Sequence, residues 1–399
     1  MRIFLIVDDY MPDSIKVAAK MMHELACEFL NQGHEVTVIT PSPQLKSKVE
    51  ISKLNGVTVC RFKSGEIKNV GKIKRAINET LLSNYAWNNF NNYFQENPHD
   101  LIVYYSPTIF WGGLIVRLKK LWNVPSYLIL RDLFPQWAID QGLIKSGSVV
   151  EKYFRYFEKR NYAAADIIGL MSQKNLEWFD KTVKTGKKTE VIYNWASNEP
   201  VRAESSYKET LGLVNKTVYF YGGNIGHAQD MMNIVRLAKN MQNESKAYFV
   251  LVGTGDEVEL VQTAIKKEQI NNMVLLPSVS QDEFKQMLSE FDIGLFTLHK
   301  EHRTHNFPGK LLGYMVQELP ILGSINKDND LKEIVEEANA GLISINGDDE
   351  ELLKNARKLL DDDYRLKIGQ NASKLLTSTF SVETATKQIL MNLEKTTYN

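Results

Sequence analysis

The strongest constraint on the fold is the alternation of wholly apolar segments with amphipathic helical segments along almost the entire chain. Strands that are apolar throughout and separated by helices are typical of parallel sheets covered by helices on both faces. The predicted strands are 2–8, 35–40, 57–62, 101–104, 127–130, 167–170 and 191–193 in the first half, and 217–221, 248–252, 274–276, 293–298, 321–322 and 342–345 in the second. The pattern predicts an α/β fold of two doubly wound domains. Ligands are then expected at the carboxyl ends of the strands and in the cleft between the domains.

The chain length supports this division. A chain of 399 residues favours two domains. Segment 194–200 is polar and ends in a proline, which marks the predicted boundary. We expect a first domain over 1–197 and a second over 198–376. The remaining segment, 377–399, is predicted to be a helix that packs back on the first domain.

The composition excludes several classes of protein. Cys27 and Cys60 are the only cysteines, so we expect neither a disulfide framework nor a cysteine metal site, and their scarcity fits a reducing cytosol. The apolar N-terminal run ends at Asp8, which makes it too short for a signal peptide or a spanning helix. The formal net charge of zero argues against a nucleic-acid-binding protein.

One stretch departs from this overall neutrality. Residues 46–75 hold nine basic and two acidic side chains. Ile73 and Ile77 share a face of the helix predicted there, with Lys74 and Arg75 beside it. The pattern fits either a basic amphipathic helix in a membrane interface or a core-packed helix with a solvated basic face.

Three loops at strand ends in the second half predict a phosphate site. They are 222–226, 253–255 and 308–310. Glycines let a phosphate approach the backbone and permit positive φ. Pro308 suits the first turn of a helix, whose N–H groups carry partial positive charge, and Lys310 adds a full charge. Neither glycine loop has the spacing of a dinucleotide fingerprint or a P-loop. Together the three loops favour a nucleotide-diphosphate site over ordinary turns.

A metal site is not predicted. His299, His302 and His305 are spaced by three residues, as metal ligands can be, but they lie in a polar loop whose nearest carboxylate is Glu301. The acidic triplets 328–330 and 361–363 stand at predicted helix starts, so helix capping explains them better.

Several stretches of the chain resemble a known enzyme family. Residues 33–40 (Gly-His-Glu-Val-Thr-Val-Ile-Thr), 252–256 (Val-Gly-Thr-Gly-Asp) and 308–312 (Pro-Gly-Lys-Leu-Leu) are similar to family 4 glycosyltransferases of the two-domain GT-B architecture. The segments 7–12, 20–25, 62–65, 105–107 and 130–138 resemble, more narrowly, the WbuB-type N-acetyl-L-fucosaminyl transferases. The similarity covers essentially the whole chain. It implies two Rossmann-like domains that face each other across a cleft.

The resemblance implies a specific enzyme activity. The expected enzyme is a metal-independent hexosyltransferase that moves N-acetyl-L-fucosamine from UDP-N-acetyl-L-fucosamine to a lipid-diphosphate-linked sugar. The expected acceptor is N-acetylglucosaminyl-diphospho-undecaprenol, in O-antigen, lipopolysaccharide or capsule assembly. No cofactor is implied beyond the UDP-sugar co-substrate. The implied location is cytoplasmic, peripheral at the inner face of the cytoplasmic membrane, with the basic Lys63–Arg75 region against an anionic membrane surface. Retention or inversion stays open.

The resemblance also assigns roles to residues. It places the donor's base at Val279 and its diphosphate at Gly223, Asn224 and Lys310. Lys310 and the helix N-terminus would stabilise the charge on departing UDP. The other donor-side positions are Ile225, Gly226, Gly253, Gly255, Phe307, Pro308, Gly309, Leu311 and Leu312. Asp132 or Asp9 would orient or deprotonate the acceptor hydroxyl, with structural capping as the alternative.

On the acceptor side the chain departs from the family pattern. Lys16-Val17 stands where the family carries Gly-Gly, so the Lys16 ammonium would replace backbone amides. Arg131 stands where a histidine commonly contacts the donor's 6-hydroxyl, a group that a 6-deoxy sugar lacks. Ser106 completes the predicted acceptor and sugar pocket.

On the donor side two further departures stand out. The acids of the family's paired-glutamate motif are missing near His305 and at Gly313, and Asn224–His227 replace its diphosphate-binding Arg and Lys. More of the phosphate charge would then fall to Lys310. Two alternatives stay open. One is a UDP-sugar 2-epimerase, which shares the fold but needs no lipid acceptor. The other is a non-catalytic sugar-nucleotide-binding protein, which the missing acids suggest.

Overall fold

The computed structural model describes residues 1–14, 16–67, 70–202, 206–301, 308–327 and 329–397, without the side chains of Lys72 and of residues 392–397. The chain divides into two compact units. The first is Met1–Tyr193 together with the segment from Val382 onwards, and the second is Asn194–Ser381. The unit limits lie at 193/194 and 381/382, where we expected 197/198 and 376/377.

The first unit is built on an eight-stranded sheet. Its strand order is β3-β4-β2-β1-β5-β6-β7-β8. The strands are β1 (Arg2–Ile6), β2 (Glu35–Pro41), β3 (Val49–Leu54), β4 (Val57–Phe62), β5 (Leu101–Ser106), β6 (Ser126–Leu130), β7 (Ile167–Leu170) and β8 (Lys188–Val191). The helices are α1 (Val17–Asn31), α2 (Lys72–Thr80), α3 (Leu82–Glu96), α4 (Gly112–Trp122), α5 (Gln136–Asp140), α6 (Val149–Ala164) and α7 (Gln173–Thr182).

The second unit contains a six-stranded sheet with the order β11-β10-β9-β12-β13-β14, in which all described pairs are parallel. Its strands are β9 (Thr217–Gly222), β10 (Ala247–Val252), β11 (Met273–Leu276), β12 (Ile293–Thr297), β13 (Ile321–Ile325) and β14 (Gly341–Ile345). Its helices are α8 (Tyr207–Thr210), α9 (Met231–Asn240), α10 (Val258–Lys267), α11 (Gln281–Glu290), α12 (Gly309–Val316), α13 (Leu331–Glu337), α14 (Asp349–Lys358) and α15 (Asp362–Leu375). The two α/β sheets confirm the predicted pair of Rossmann-like domains.

The last helix, α16 (Val382–Thr397), belongs to the first unit. The side chain of Gln32, the C-cap residue of α1, donates to the Thr386 hydroxyl over 2.7 Å. Gln388 donates to the carbonyl of Val191, at the end of β8, over 2.6 Å. These hydrogen bonds connect α16 to the elements of the N-terminal sheet.

The structure differs from the predicted strands at two places in the first half. Strand β3 was missed because it alternates polar with apolar residues and lies exposed at the sheet edge, antiparallel to β4. A search for continuous apolar runs does not find such a strand. Strand β8 is Lys188–Val191, so it ends where we expected a strand to begin. It is the opposite edge strand, and its partly exposed polar residues carry little apolar signal.

Candidate active site

In the second sheet the strand order reverses between β9 and β12, because β10 lies on the far side of β9. Ligands of doubly wound sheets bind where the order reverses, at the carboxyl ends of the strands. The loop after β9 and the helix that follows β12 meet there. A Cβ atom added to Gly223 would lie 3.1 Å from Nζ of Lys310. The structure therefore brings together two of the three loops that the sequence singles out.

The remaining loop, 253–255, packs directly on loop 222–226. Ile225 N–H donates to the carbonyl of Thr254 over 2.8 Å. A Cβ on Gly253 would lie 1.8 Å from the carbonyl oxygen of Gly223, and one on Gly255 would lie 2.0 Å from that of Ile225. No real Cβ atom fits at such distances, so both positions require glycine.

Lys310 lies in a largely apolar setting above these loops. Its Nζ is 3.9 Å from the centroid of the Tyr221 ring and 5.9 Å from that of Phe296. Burial lowers its pKa from 10.5 to about 7. No carboxylate of the described residues pairs with it. Desolvation disfavours a lone ammonium, and an anion bound beside it would restore the charged form.

The other residues predicted on the donor side contribute either backbone groups at the start of α12 or side chains that pack in the core. Pro308 is the N-cap of α12, and the N–H of Leu311 donates to its carbonyl over 3.1 Å. Leu311 and Leu312 are buried and anchor the helix in the core. Gly309 is exposed, and an added Cβ would meet nothing within 4 Å.

The loop after β9 is held by its own polar groups. The Tyr221 hydroxyl donates to the carbonyl of Asn224 over 2.7 Å, and the Asn224 amide donates to Gln229 over 2.8 Å. A Cβ on Gly226 would lie 2.5 Å from a carboxylate oxygen of Asp256. Val279 lies in the loop between β11 and α11, next to the N-cap Ser280. Phe307, His302 and His305 lie outside the described residues.

In the first unit the predicted acceptor-side residues stand at the ends of three strands. Asp9 follows β1, Ser106 ends β5, and Arg131 and Asp132 follow β6, and these strands are neighbours in the sheet. The N–H of Arg131 donates to the carbonyl of Ser106 over 3.1 Å. The fold thus gathers these residues at one edge, again where the strand order reverses.

Two carboxyl groups at this edge have raised pKa values. Burial raises the pKa of Asp132 from 3.8 to about 6, against a hydrogen bond from Trp137 that lowers it. Burial also raises the pKa of Asp8 from 3.8 to about 6, and the neighbouring charges of Asp9 and Glu79 add to the effect. A carboxylate with such a pKa is suited to take a proton near neutral pH. Sequence reasoning missed Asp8, although its place at the carboxyl end of a buried strand was a usable signal.

The other predicted residues at this edge are engaged within the unit. Lys16 and Asp9 form an ion pair of 2.6 Å. The Arg131 guanidinium is buried and donates to the carbonyls of Ile192 and Tyr193 over 2.6 and 2.8 Å. Arg131 thereby ties the end of β6 to the chain that leaves β8.

The basic stretch presents an exposed amphipathic helix. Ile73 and Ile77 on α2 are 80% and 53% exposed, so the core-packed alternative was wrong. Part of the basic charge is neutralised, since Lys74 pairs with Glu66 over 3.2 Å and Arg75 with Glu79 over 2.9 Å. In the described part of the chain, no helix is long and apolar enough to cross a membrane.

The described residues contain no group of three histidine, cysteine or acidic side chains placed to hold a metal ion. The rings of His227 and His299 lie 5.0 Å apart, with His227 Nδ1 3.5 Å from a Glu257 carboxylate oxygen. The acidic triplet at 361–363 caps α15 as expected, since Asp361 accepts from the N–H of Tyr364 over 2.7 Å.

Comparison with known protein families agrees with this architecture. Residues 18–197 match the model of Glycosyltransferase Family 4, and residues 204–375 match the model of Glycosyl transferases group 1. The two matches fall on the two halves of the chain. Together they cover most of both units, so the chain is a glycosyltransferase of the two-domain GT-B architecture, with the family 4 match confined to its first half.

Individual relatives are distant. The chain is 24% identical over 218 residues to WbjE of Pseudomonas aeruginosa, named as a glycosyltransferase, in an alignment that spans 54% of each chain. It therefore spans about half the length of this relative. It is 25% identical over 320 residues to WcaI of Escherichia coli K12, named as a colanic acid biosynthesis glycosyl transferase, covering 74% of this chain and 75% of WcaI. The crystal structure of Anabaena HepE in complex with UDP has the same fold, with a TM-score of 0.65 and 16% identity over 99% of this chain and 100% of that one.

Proposed function

We propose that this protein transfers a sugar from a UDP-sugar to a lipid-diphosphate-linked sugar during polysaccharide assembly. The observation that carries the proposal is Lys310, a lysine of lowered pKa placed against Gly223 at the helix start where the strand order reverses. The binding of UDP by HepE and the colanic acid assignment of WcaI support the donor class and the process.

The donor proposed is UDP-N-acetyl-L-fucosamine, and the acceptor is N-acetylglucosaminyl-diphospho-undecaprenol. The similarity of segments 7–12 and 130–138 to the WbuB-type transferases supports this choice. The place of Arg131 supports this choice as well. Its guanidinium donates to backbone carbonyls, and a 6-deoxy sugar has no 6-hydroxyl that would need a partner at this position.

In the proposed reaction the bond between the sugar's anomeric carbon and the UDP oxygen breaks, and its electron pair stays with UDP. Lys310, protonated once the diphosphate is bound, and the first turn of α12 stabilise that charge. The acceptor oxygen forms the new bond to the anomeric carbon. Its proton passes to a carboxylate of the first unit, for which Asp132 and Asp8 are suited by their raised pKa values.

The membrane partner follows from the acceptor. A polyprenyl lipid stays in the bilayer, so the enzyme must work at its surface. The exposed Ile73 and Ile77 and the basic residues of the Lys63–Arg75 region fit an anionic membrane surface, which we propose is the inner face of the cytoplasmic membrane.

Thermal unfolding with UDP, GDP, CMP and NAD is the first test. A ligand at about 100 times its dissociation constant adds about 2.7 kcal/mol to the free energy of unfolding. We expect stabilisation by UDP and much less by the others. If none of these nucleotides raises the unfolding temperature, the result would contradict the proposed donor site and favour a non-catalytic protein. Turnover of the UDP-sugar without lipid acceptor would instead favour a 2-epimerase.

A further inference from the structure

We infer that the first unit carries a second anion site, a cavity between α3, α4 and α6 that takes the phosphate headgroup of an anionic bilayer phospholipid. The inference rests on the proposed function, because it concerns how that enzyme holds the membrane. None of the residues assigned above lines this cavity.

The cavity has a volume of about 320 Å³ and combines two arginines with an apolar floor. The side chains that matter are Ser83, Phe110, Arg117, Phe157 and Arg160. Among the described residues that line it none is acidic. Two guanidinium groups without a lining carboxylate make a cavity that is complementary to a phosphate.

Arg117 is held in place before any ligand arrives. It donates to the side-chain oxygen of Asn84 over 3.0 Å and lies 5.6 Å from the Trp87 ring centroid. Neither neighbour carries a negative charge, so the arginine's charge is not neutralised there. A guanidinium has five N–H donors, and the bond to Asn84 uses one of its nitrogens.

Arg160 reaches the same cavity from α6. A Cβ added to Gly113 would lie 3.5 Å from a terminal nitrogen of Arg160 and 3.4 Å from the Ser83 hydroxyl. In the described part of the chain Arg160 makes no ion pair. Ser83 is buried and already donates to Phe110 and accepts from Leu114, so the two arginines are the charged groups of the cavity.

The surroundings fit a lipid rather than a free phosphate. The Phe110 and Phe157 rings pack 5.0 Å apart in the cavity wall. Tyr156, which lines the cavity, is 58% exposed, and Tyr153 on the same helix hydrogen-bonds Thr80 at the end of α2. This bond joins the exposed aromatic face of α6 to the helix that carries Ile73 and Ile77. Apolar side chains around a cationic cavity match a headgroup with its acyl chains.

The test is co-sedimentation of the full chain with vesicles, without donor or acceptor. We compare phosphatidylcholine alone with phosphatidylcholine containing phosphatidylglycerol. Basic residues at a membrane surface contribute about fivefold each to binding, so Arg117→Gln with Arg160→Gln should weaken the phosphatidylglycerol-dependent binding by about 25-fold. The charge-matched control is Lys181→Gln with Lys184→Gln, which changes two exposed lysines outside the cavity and should change binding less than about twofold.

A second variant separates the cavity from diffuse surface charge. Gly113→Leu keeps both arginines, and its side chain extends toward Ser83 and Arg160, where the first carbon meets ordinary contacts. If the cavity holds a headgroup, this variant loses binding as well. Wild-type binding by Gly113→Leu would overturn the inference even if the arginine variant binds weakly. Thermal unfolding of each variant shows whether it is folded.

The same variants distinguish a bilayer lipid from other sources of phosphate. Normal vesicle binding by the arginine variant, with a raised KM for the polyprenyl-diphosphate acceptor, would assign the cavity to the acceptor and overturn the inference. Transfer to a short-chain, water-soluble acceptor should be unchanged in both variants. If wild-type protein binds vesicles through the cavity but transfers no sugar, the proposed function fails while the headgroup site stands.

Discussion

The two units share the order of their central parallel strands, although the first sheet has two additional edge strands, and they carry opposite charges at corresponding places. In each, the first strand of the unit lies at the point where the strand order reverses, and the loops at its carboxyl end form the candidate site. In the second unit that place holds glycines and the Lys310 ammonium. In the first it holds Asp8 and Asp9 after β1 and, two strands further along the sheet, Asp132 after β6. The strand order therefore fixes where a site forms in each unit. A few loop residues at that place determine whether the site binds an anion or accepts a proton.

The largest expected effect is on the cationic side. Lys310→Ala should lower kcat at least about 100-fold, because it removes the charge proposed to stabilise departing UDP. Initial rates with a UDP-sugar and the lipid acceptor measure this. Lys266→Ala, which changes an exposed lysine of α10, is the control. A kcat near the wild-type value would remove Lys310 from the mechanism.

On the acidic side, Asp132→Asn and Asp8→Asn identify the proton acceptor. The variant that removes the base should lose about 100-fold in rate, the lower end of what general-base catalysis contributes. The wild-type rate should fall as the pH drops below about 6, where both groups become protonated. Equal, small losses in both variants would leave the carboxylates with a structural role only.

Nucleotide binding should depend on pH through Lys310. Its pKa of about 7 means that free protein at higher pH is largely neutral there, so UDP binding takes up a proton. Between pH 7 and 9 the dissociation constant should rise by about tenfold per unit, since one proton is linked to binding. Calorimetry measures both the constant and the proton uptake. Lys310→Met should bind weakly with no such slope, and an unchanged slope would contradict the assignment.

The glycine loops offer a matched pair of substitutions. Gly255→Ala places a Cβ 2.0 Å from the carbonyl oxygen of Ile225, whereas at Gly309 it meets nothing within 4 Å. We expect Gly255→Ala to lower the free energy of unfolding by about 1–3 kcal/mol, as overpacking does, and to weaken UDP binding. Gly309→Ala should change stability by less than about 0.5 kcal/mol. Denaturant unfolding measures the free energy of unfolding of both variants. Similar losses of stability in the two variants would argue against close packing of loops 222–226 and 253–255.

The smallest expected effect concerns stability and pH in the first unit. The pKa of Asp8 is about 6 in the folded chain and 3.8 as its ordinary value, so the folded state holds this proton more tightly. The stability that protonated Asp8 contributes to the folded state is fully present below pH 3.8 and is lost as the pH rises through about 6. Asp8→Asn should therefore raise Tm at pH 8, by about 2–4 °C for each kcal/mol of the charge penalty that is removed, and much less at acid pH. A uniform shift at both pH values would point to packing instead of charge.

The sequence alone carried most of the secondary structure and the donor-side loops. Wholly apolar strands such as Ile3–Ile6 are buried on both sides, and their composition reports that burial directly. Glycines at the ends of β9 and β10 likewise mark a local backbone requirement. Strand β3 escaped prediction, because an exposed edge strand lacks a continuous apolar pattern.

The properties that the sequence does not record depend on contacts between distant segments. The sequence names Lys310, but its lowered pKa comes from burial in the folded unit, where its ammonium lies against the Tyr221 ring. It names Asp9, while the fold pairs Asp9 with Lys16 and leaves its neighbour Asp8 with the raised pKa. Arg117 and Arg160 come from different helices, so no local pattern joins them. Burial and charge proximity are properties of packing, and a linear pattern records only the residue types that make them possible.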